Sequence, residues 1–336
     1  MSFETEFSEA VDGLAPVALR TAATLRLADH IAAGFDTVPR LADRIGADRD
    51  VLERLLRFLV ARGVFGEPVP ATYALTPLSA LLLEGHPARL RAWLDERGVG
   101  ARMDEAVRAL SEGVRTGRCP YDRLHGGSFY ADLAARSSGP SFDDLRQAHA
   151  EGFAGEIADA FPWDRVGHVV DVGGGTGVLL ETLLRRFPCL HATLVDLPET
   201  VAAATRRITG AGLNGRFTPS PGSFFDTPPP RADVHTLVNV LHNLGDEQAV
   251  TLLRHCARAA APDGTVIVGE RLADEADTRA ITSMDLRMFL LLGGKERSLA
   301  QLRAAAETAG LAYDRRTALP SGLQLIRFRT GDRGPA

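Results

Sequence analysis

A glycine-rich run behind a hydrophobic segment is the first stretch of this chain that could do chemistry. Asp171 stands two residues ahead of Gly173–Gly177, and the run lies between a predicted strand and a predicted helix. Glycines in this setting let the backbone turn tightly and approach a ligand closely. The dinucleotide fingerprint G-x-G-x-x-G would need glycine where this chain has Val178. The spacing therefore favours S-adenosylmethionine (SAM) over NAD.

A second acid supports a nucleoside site. Asp196 ends the next predicted strand, Ala192–Val195, and follows the glycine run in the chain. An acid at the tip of strand two in a doubly wound sheet can accept both ribose hydroxyls of a bound nucleoside. A solvated loop aspartate is the competing interpretation, and ribose binding alone does not separate NAD from SAM.

Polar residues that follow later predicted strands are the candidate catalytic groups. His242 follows the predicted strand Val234–Leu241, and Glu270 follows Thr265–Val268. A third acid, Glu296, lies in a glycine-containing turn. A histidine flanked by carboxylates suits general-base chemistry, because the acid fixes the ring tautomer and stabilises the imidazolium. By position alone, a structural role for His242 is about as well supported.

The elements around these residues alternate between strand and helix. The predicted strands are His168–Val172, Ala192–Val195, Val234–Leu241, Thr265–Val268 and Leu323–Phe328. The predicted helices between them are Leu179–Phe187, Thr200–Thr209, Glu247–Ala260 and Leu299–Ala309. Such alternation predicts an α/β fold, a doubly wound, mostly parallel, Rossmann-like sheet covered on both faces.

The first hundred residues have a different pattern. An apolar stripe from Val17 to Ile31 predicts an amphipathic helix, and Val38–Gly46 and the segment after Asp48 predict two more. Two short strands around a proline-rich turn follow, which completes the outline of a winged helix. This half carries 11 arginines against 14 acids, a net charge of −3. A DNA-reading module should be basic, so the charge favours a dimerisation module.

Composition narrows the class of protein further. The 336-residue chain has 38 basic against 43 acidic side chains, which argues against nucleic-acid binding through phosphates. No apolar run is long enough for a membrane span, and the acidic N-terminus does not resemble a secretory signal. Three scattered cysteines form no metal motif, and no other ligand set is visible. We expect a cytoplasmic protein without a bound metal.

Together these residues resemble a known family, the SAM-dependent small-molecule O-methyltransferases. These are the plant caffeate-type enzymes and the bacterial relatives that modify polyketides and other aromatic metabolites. The resemblance covers nearly the whole chain and rests on seven segments in register: Asp171–Gly177, Val195–Pro198, Gly222–Phe225, Val240–Asn243, Glu270, Met284–Met288 and Gly293–Arg297.

The resemblance implies a set of roles. His242 would deprotonate an acceptor hydroxyl, with Glu270 and Glu296 positioning its imidazole. SAM, leaving as S-adenosylhomocysteine, would lie against a cofactor set of Gly173, Gly175, Asp196, Leu197, Ser223 and Phe224. Ser223 stands where the family usually has an aspartate, so one contact to the adenine would lose its charge. The winged-helix half would form a homodimer.

The acceptor would be a small aromatic or polyketide-type molecule. Its predicted contacts are Phe142 and Arg146 on one helix and Met284 and Met288 on a later one, although core packing explains each methionine equally well. Arg146 replaces a methionine that often lines the pocket in this family. If Arg146 faces the pocket, the acceptor would be anionic or strongly polar.

The expected organisation has three parts. Residues 1–100 would be the dimerisation domain, 101–160 the linking helices that contribute to the acceptor site, and 161–330 the class I methyltransferase domain. Three alternatives stay open: a relative that keeps SAM but catalyses hydroxylation or a pericyclic step, an N-methyltransferase, and a winged-helix regulator that senses a metabolite.

Overall fold

The computed structural model describes residues 7, 11–135, 139–275 and 278–330. Side chains are described throughout these ranges except at 134–135, 139–146, 148 and 261–263. The chain divides into two compact units. One takes in the chain up to residue 104 together with residues 138–148, and the other takes in residues 105–137 and everything from 149 onwards. The functional division at 100 and 160 stays a prediction.

The first unit is built from short helices and a β-hairpin. Its helices are α1 (Leu14–Thr24), α2 (Leu27–Ala32), α3 (Val38–Ile45), α4 (Arg49–Ala61), α5 (Pro77–Ala80) and α6 (Leu90–Leu94). The hairpin pairs β1 (Phe65–Val69) with β2 (Thr72–Leu75) in antiparallel fashion. The Asp48 carboxylate accepts the Val51 amide at 2.9 Å and caps α4, as its position in the sequence predicts.

The single helix expected between Val17 and Ile31 is wrong in one respect. Arg26 adopts a left-handed backbone with φ of 54°, which ends α1 and starts α2. The apolar stripe survives the break, because Ala22, Leu27 and Ile31 all enter the core of this unit. The predicted winged-helix outline of helices followed by a hairpin is confirmed.

Helices also fill the middle of the chain. They are α7 (Val99–Arg108), α8 (Leu110–Thr116), α9 (Pro120–His125), α10 (Phe129–Ala135) and α11 (Gly139–Ala160). None of the helices within the described ranges is both long and apolar enough to cross a bilayer.

The second unit is organised around a seven-stranded sheet. Its strands are β3 (His168–Val172), β4 (His191–Asp196), β5 (Phe217–Pro221), β6 (Ala232–Val238), β7 (Ala260–Glu270), β8 (Leu311–Ala318) and β9 (Gln324–Thr330). The strand order is β5-β4-β3-β6-β7-β9-β8. The first five strands of this order are parallel, and β9 pairs in antiparallel fashion with both β7 and β8. The predicted doubly wound, mostly parallel sheet is confirmed.

Both faces of this sheet are buried, as the unbroken apolar runs of its strands require. Val169 faces one core, and Val170 and Val172 face the other. The helices that follow β3 in this unit are α12 (Val178–Arg186), α13 (Pro198–Gly210), α14 (Asp246–Ala259), α15 (Thr278–Leu292) and α16 (Leu299–Thr308). Residues of α12 and α13 join the first core, and residues of α14 and α16 join the second.

One strand end differs from the prediction in a way that matters for the site. The predicted strand Val234–Leu241 ends at Val238, because Asn239 takes a left-handed backbone with φ of 53°. The chain then forms a single 3-10 turn, Leu241–Asn243. His242 therefore lies on a separate turn beyond the strand. Glu270, predicted to follow its strand, is instead the last residue of β7.

Candidate active site

The glycine-rich turn lies where β3 ends and α12 begins. Gly173 has φ of 73°, a left-handed conformation that side chains rarely adopt. A Cβ there would stand 2.8 Å from the Cγ2 of Val240, two residues ahead of His242. At Gly174, a Cβ would stand 2.2 Å from the Asp171 carboxylate. The glycines therefore let this turn lie against the segment that leads to His242.

Asp196 lies beside that turn and is held by backbone amides. One carboxylate oxygen accepts the Gly175 amide at 2.9 Å, and the other accepts the Leu197 amide at 2.7 Å. A carboxylate offers about four lone-pair positions, so both oxygens retain the capacity to accept hydroxyl groups. The structure thus brings together four of the predicted cofactor residues, and Asp196 is oriented before any ligand arrives.

Ser223 and Phe224, the other predicted cofactor residues, follow β5. The Gly222 amide donates to the Asp196 carbonyl at 2.9 Å, which ties this segment to the same edge of the sheet. The Ser223 hydroxyl accepts the Phe225 amide at 3.1 Å. One of its lone pairs is therefore already used within the chain, and its proton can still be donated.

His242 contacts one of its two predicted carboxylate partners directly. Its Nδ1 lies 2.9 Å from Glu296 Oε1 but 3.8 Å from Glu270 Oε2. A proton on Nδ1 donated to Glu296 leaves the lone pair of the ring on Nε2, which is the tautomer that a general base requires. The predicted triad is assembled, but its two acids do not act on the imidazole in the same way.

Glu270 binds the backbone of the histidine turn. Its Oε1 accepts the amides of Val240, Leu241 and His242 at 3.1, 2.8 and 3.3 Å. Burial raises the pKa of the Glu270 carboxyl above its ordinary value; the charge of His242 opposes this shift, and the charge of Glu296 adds to it. Glu270 therefore fixes where the turn sits more than which way the ring points.

The triad also has the spacing of a metal-ligand set, which sequence reasoning did not find. Among the described residues, one ligand atom each from His242, Glu270 and Glu296 lie within 4.8 Å of one another. The Oε2 atoms of both acids are buried without a hydrogen-bond partner in the described part of the chain. Since Nδ1 already contacts Glu296, the arrangement suits proton handling, and the absence of a metal stays a prediction.

Glu296 is positioned by a segment that packs directly on the histidine turn. Its amide donates to the Asp285 carboxylate on α15 at 2.8 Å. A Cβ at Gly294 would stand only 2.1 Å from the His242 carbonyl oxygen, so only glycine permits this approach. Sequence reasoning placed Asp285 and Gly294 in motifs without giving them a role. A paired Gly293-Gly294 beside a predicted catalytic acid is the signal that the sequence offers.

Asp171, which the sequence predicts as part of the glycine motif, is also a buried carboxyl group with a raised pKa. It is fully buried, and the Thr236 hydroxyl on the neighbouring strand donates to it at 2.6 Å. Burial raises its pKa to about 7; the Thr236 hydrogen bond opposes that shift, and the charge of Asp196 adds to it. The carboxyl therefore keeps its proton in the folded protein over a range where the unfolded chain has lost it.

This buried carboxyl leads to a testable pH dependence. Its stabilisation is complete below the unfolded pKa of about 4 and is lost as pH rises through about 7. Relative to Asp171→Asn, we expect the free energy of unfolding of the unmodified protein to fall by about 1.4 kcal/mol per unit between about pH 5 and pH 7. Urea titrations of both proteins across this range measure the difference. If the free energies of unfolding of the two proteins changed with pH in parallel, Asp171 would already be ionised in the folded protein and the argument would be wrong.

The predicted acceptor residues are less well gathered. Met284 and Met288 are one turn apart on α15, yet Met284 is 41% exposed and Met288 is buried. Phe142 and Arg146 belong to α11, but their side chains lie outside the described part of the structure. All four stay predictions.

Two family models match the chain. One describes an O-methyltransferase domain and covers residues 107–312. The other describes an O-methyltransferase dimerisation domain and covers residues 9–85. The first range contains the five parallel strands of the sheet, and the second contains the predicted winged helix.

Individual relatives agree with these models. The 2,7-dihydroxy-5-methyl-1-naphthoate 7-O-methyltransferase of Streptomyces carzinostaticus is 45% identical over 88% of this chain and 89% of its own. Aclacinomycin 10-hydroxylase RdmB of Streptomyces purpurascens is 41% identical over 93% of this chain and 87% of its own. NcsB1 is an O-methyltransferase from neocarzinostatin biosynthesis, and its crystal structure holds SAM and 2-hydroxy-5-methyl naphthoic acid. Its sequence is 42% identical to this chain. The structure has a TM-score of 0.88 and covers 96% of this chain and 98% of that one.

A doubly wound sheet with a glycine turn and a strand-end acid defines a nucleoside-binding α/β protein, and the carboxylate-bound histidine beside it suits an enzyme. The matched models make the assignment specific. This chain belongs to the O-methyltransferase family, with its dimerisation domain in the N-terminal part.

Proposed function

We propose that this protein transfers the methyl group of SAM to a hydroxyl of a small aromatic metabolite in natural-product biosynthesis. The observation that carries the proposal is the contact of His242 Nδ1 with Glu296 at 2.9 Å, on a turn that adjoins Gly173. That contact provides a base directly beside the glycine turn that suits the donor.

The residues present fit SAM. Asp196 would accept the ribose hydroxyls on a carboxylate that Gly175 and Leu197 already orient. Gly173 and Gly174 let the turn pack on Val240 and Asp171 more closely than a Cβ would permit, which holds its backbone beside Asp196. Ser223 would hydrogen-bond the adenine without a charge. When bound, SAM supplies an electrophilic methyl group on a sulfonium.

The chain's own residues would supply the proton chemistry. His242 Nε2 takes the proton of the acceptor hydroxyl, and Glu296 stabilises the imidazolium that results. Glu270 holds the turn so that the ring does not need to reorient during the reaction. S-adenosylhomocysteine and the methyl ether then leave, and the proton passes from His242 to solvent.

Two relatives support a narrower acceptor class. One at 45% identity is named for a hydroxylated naphthoate, and the NcsB1 structure contains a hydroxynaphthoic acid. We propose a hydroxylated bicyclic aromatic acid as the acceptor, an anion of the kind that Arg146 would suit. The match of the dimerisation model supports a homodimer through residues 9–85, and we keep the expected cytoplasmic location as part of the proposal.

We expect equimolar S-adenosylhomocysteine and singly methylated product when the protein is incubated with SAM and a panel of hydroxynaphthoic acids. Mass spectrometry of both products measures this ratio, and EDTA should leave the rate unchanged. The proposal would be contradicted if none of the hydroxynaphthoic acids in the panel gave S-adenosylhomocysteine. A rate that disappears with EDTA and returns with a divalent cation would overturn its metal-free form.

A hydroxylation is the second candidate function, because RdmB, named as a hydroxylase, is 41% identical to this chain. The same experiment separates the two activities. A hydroxylase adds an oxygen atom and forms no methylated product, whereas a methyltransferase consumes SAM in proportion to product. The His242–Glu296 contact favours methyl transfer.

A further inference from the structure

Arg297 is a buried arginine next to Glu296 whose guanidinium binds carbonyls of the histidine turn, whereas Glu270 binds its amides. It is 3% exposed. Nη1 donates to the Leu241 carbonyl at 2.7 Å, and Nη2 donates to the Leu244 carbonyl at 2.7 Å. Asp246 accepts from both Nε and Nη2, at 3.1 and 2.9 Å. A single side chain therefore binds one backbone carbonyl before His242 and one after it.

The two ends of this turn are complementary in charge. A helical turn leaves amides unpaired at its start and carbonyls unpaired at its end, with partial positive and negative charge respectively. The Glu270 carboxylate takes amides at the start of the turn, and the Arg297 guanidinium takes the Leu244 carbonyl just past its end. Arg297 also shares the Leu241 carbonyl with the Leu244 amide. A lone 3-10 turn has few hydrogen bonds of its own, so these two side chains supply most of what holds it in the described structure.

We propose that Arg297 is a positioning residue for methyl transfer, which holds the His242 turn against Glu296 so that the imidazole keeps its catalytic orientation. The inference rests on the proposed function for its consequence but not for its structural part. Arg297 and Glu296 are adjacent in the chain, so the segment that presents the acid to the ring also clamps the backbone of the ring. Any shift of Arg297 would move both partners of the 2.9 Å contact.

In the described part of the chain, the charged groups around this turn come from β7, α14, α15 and the loop between α15 and α16. Glu270 ends β7, Asp285 lies on α15 and binds the Glu296 amide, and Asp246 begins α14. Lys295 donates to Asp246 at 2.6 Å, and together with Arg297 it holds the pKa of that carboxyl below its ordinary value. Asp246 thus stays ionised and anchors the guanidinium.

The test compares Arg297→Met and Arg297→Lys with a matched control, Arg216→Met. Arg216 also donates to backbone carbonyls, those of Leu184, Phe187 and Leu190 in and after the last turn of α12, which is a different part of the chain from the histidine turn. Its loss costs the same kind of hydrogen bonds. Lysine keeps the charge of Arg297 but lacks the planar fork, so it should restore only part of the function.

We expect Arg297→Met to lower kcat about 10-fold or more with little change in KM for SAM, because orientation and not binding is lost. The acid limb of the kcat–pH profile should move to lower pH, since a looser Glu296 stabilises the protonated ring less. Amide hydrogen exchange in residues 239–246 should accelerate without any acceptor present. Arg297→Lys should fall between, and Arg216→Met should keep the kcat and the pH profile of the unmodified protein.

Two results would overturn the inference. One is a kcat within twofold of the unmodified protein for both Arg297 variants. The other is an equal loss in Arg297→Met and Arg216→Met with an unchanged pH profile, which would indicate general destabilisation. If Arg297→Met does not fold, Arg297→Lys and its exchange rates decide. Absence of methylation in the unmodified protein would count against the proposed function alone, because the exchange measurement needs no turnover.

Discussion

Replacing His242 with glutamine is expected to lower kcat by about 10²–10⁴-fold while leaving SAM affinity nearly unchanged. Glutamine is close in size to histidine and can still contact Glu296, but it cannot take a proton. The acceptor hydroxyl would then have to lose its proton to water before it attacks. The residual rate should rise with pH as more of the acceptor ionises.

Turnover under saturating SAM, at a pH below the pKa of the acceptor hydroxyl, measures this effect, and calorimetry gives the SAM affinity. His191→Gln is the matched control, because His191 is an exposed residue at the start of β4, at the opposite end of the strand from Asp196. A kcat within tenfold of the unmodified protein would remove His242 from the role of base. A parallel loss of SAM affinity would place its role in binding instead.

Replacing Gly294 with alanine is expected to have the second-largest effect, a loss of about 10²-fold in kcat. A methyl group at this position would stand 2.1 Å from the His242 carbonyl oxygen, 2.5 Å from the Asn243 carbonyl carbon and 2.9 Å from the Asn243 Cα. All these contacts are with backbone, so the turn or the Glu296 segment has to move. A shift of about 1 Å between a base and its partner is enough for a loss of this size.

Gly245→Ala is the matched control for this glycine. It lies three residues beyond His242, and a Cβ there would meet nothing closer than 3.7 Å. Its φ of −64° is one that alanine adopts freely. Comparable kcat values for the two variants would contradict the argument, because only Gly294 lies against the histidine turn. Thermal melts of both proteins separate a local shift from unfolding.

The sequence was informative where the physics is local. The glycine run, the strand-end acids and the alternating apolar segments each reflect one strand or one turn, and the parallel part of the sheet follows from them. The two strands that were missed, β5 and β8, are the two edges of the sheet. Edge strands face solvent on one side and tolerate proline, so Phe217–Pro221 lacks the apolar pattern of a central strand.

The candidate site was predictable in membership but not in geometry. Strand ends placed His242 near Glu270, and the family resemblance added Glu296 from a turn between two helices. No spacing in the chain says that one acid binds the ring and the other binds the amides. Arg297 was counted only as part of a motif. An arginine is usually solvated, and its burial here depends on carbonyls that only the folded turn presents.

β7, the strand that carries Glu270, pairs on one side with a strand that comes much later in the chain. β7 pairs with β9 from Thr265↔Arg329 to Glu270↔Gln324. During synthesis, the ribosome therefore delivers Glu270 well before the partner that completes its sheet. Until the last strand emerges, β7 is an open edge that could pair wrongly, and the acid that organises the histidine turn has no finished support. The catalytic arrangement should therefore be completed only late in translation.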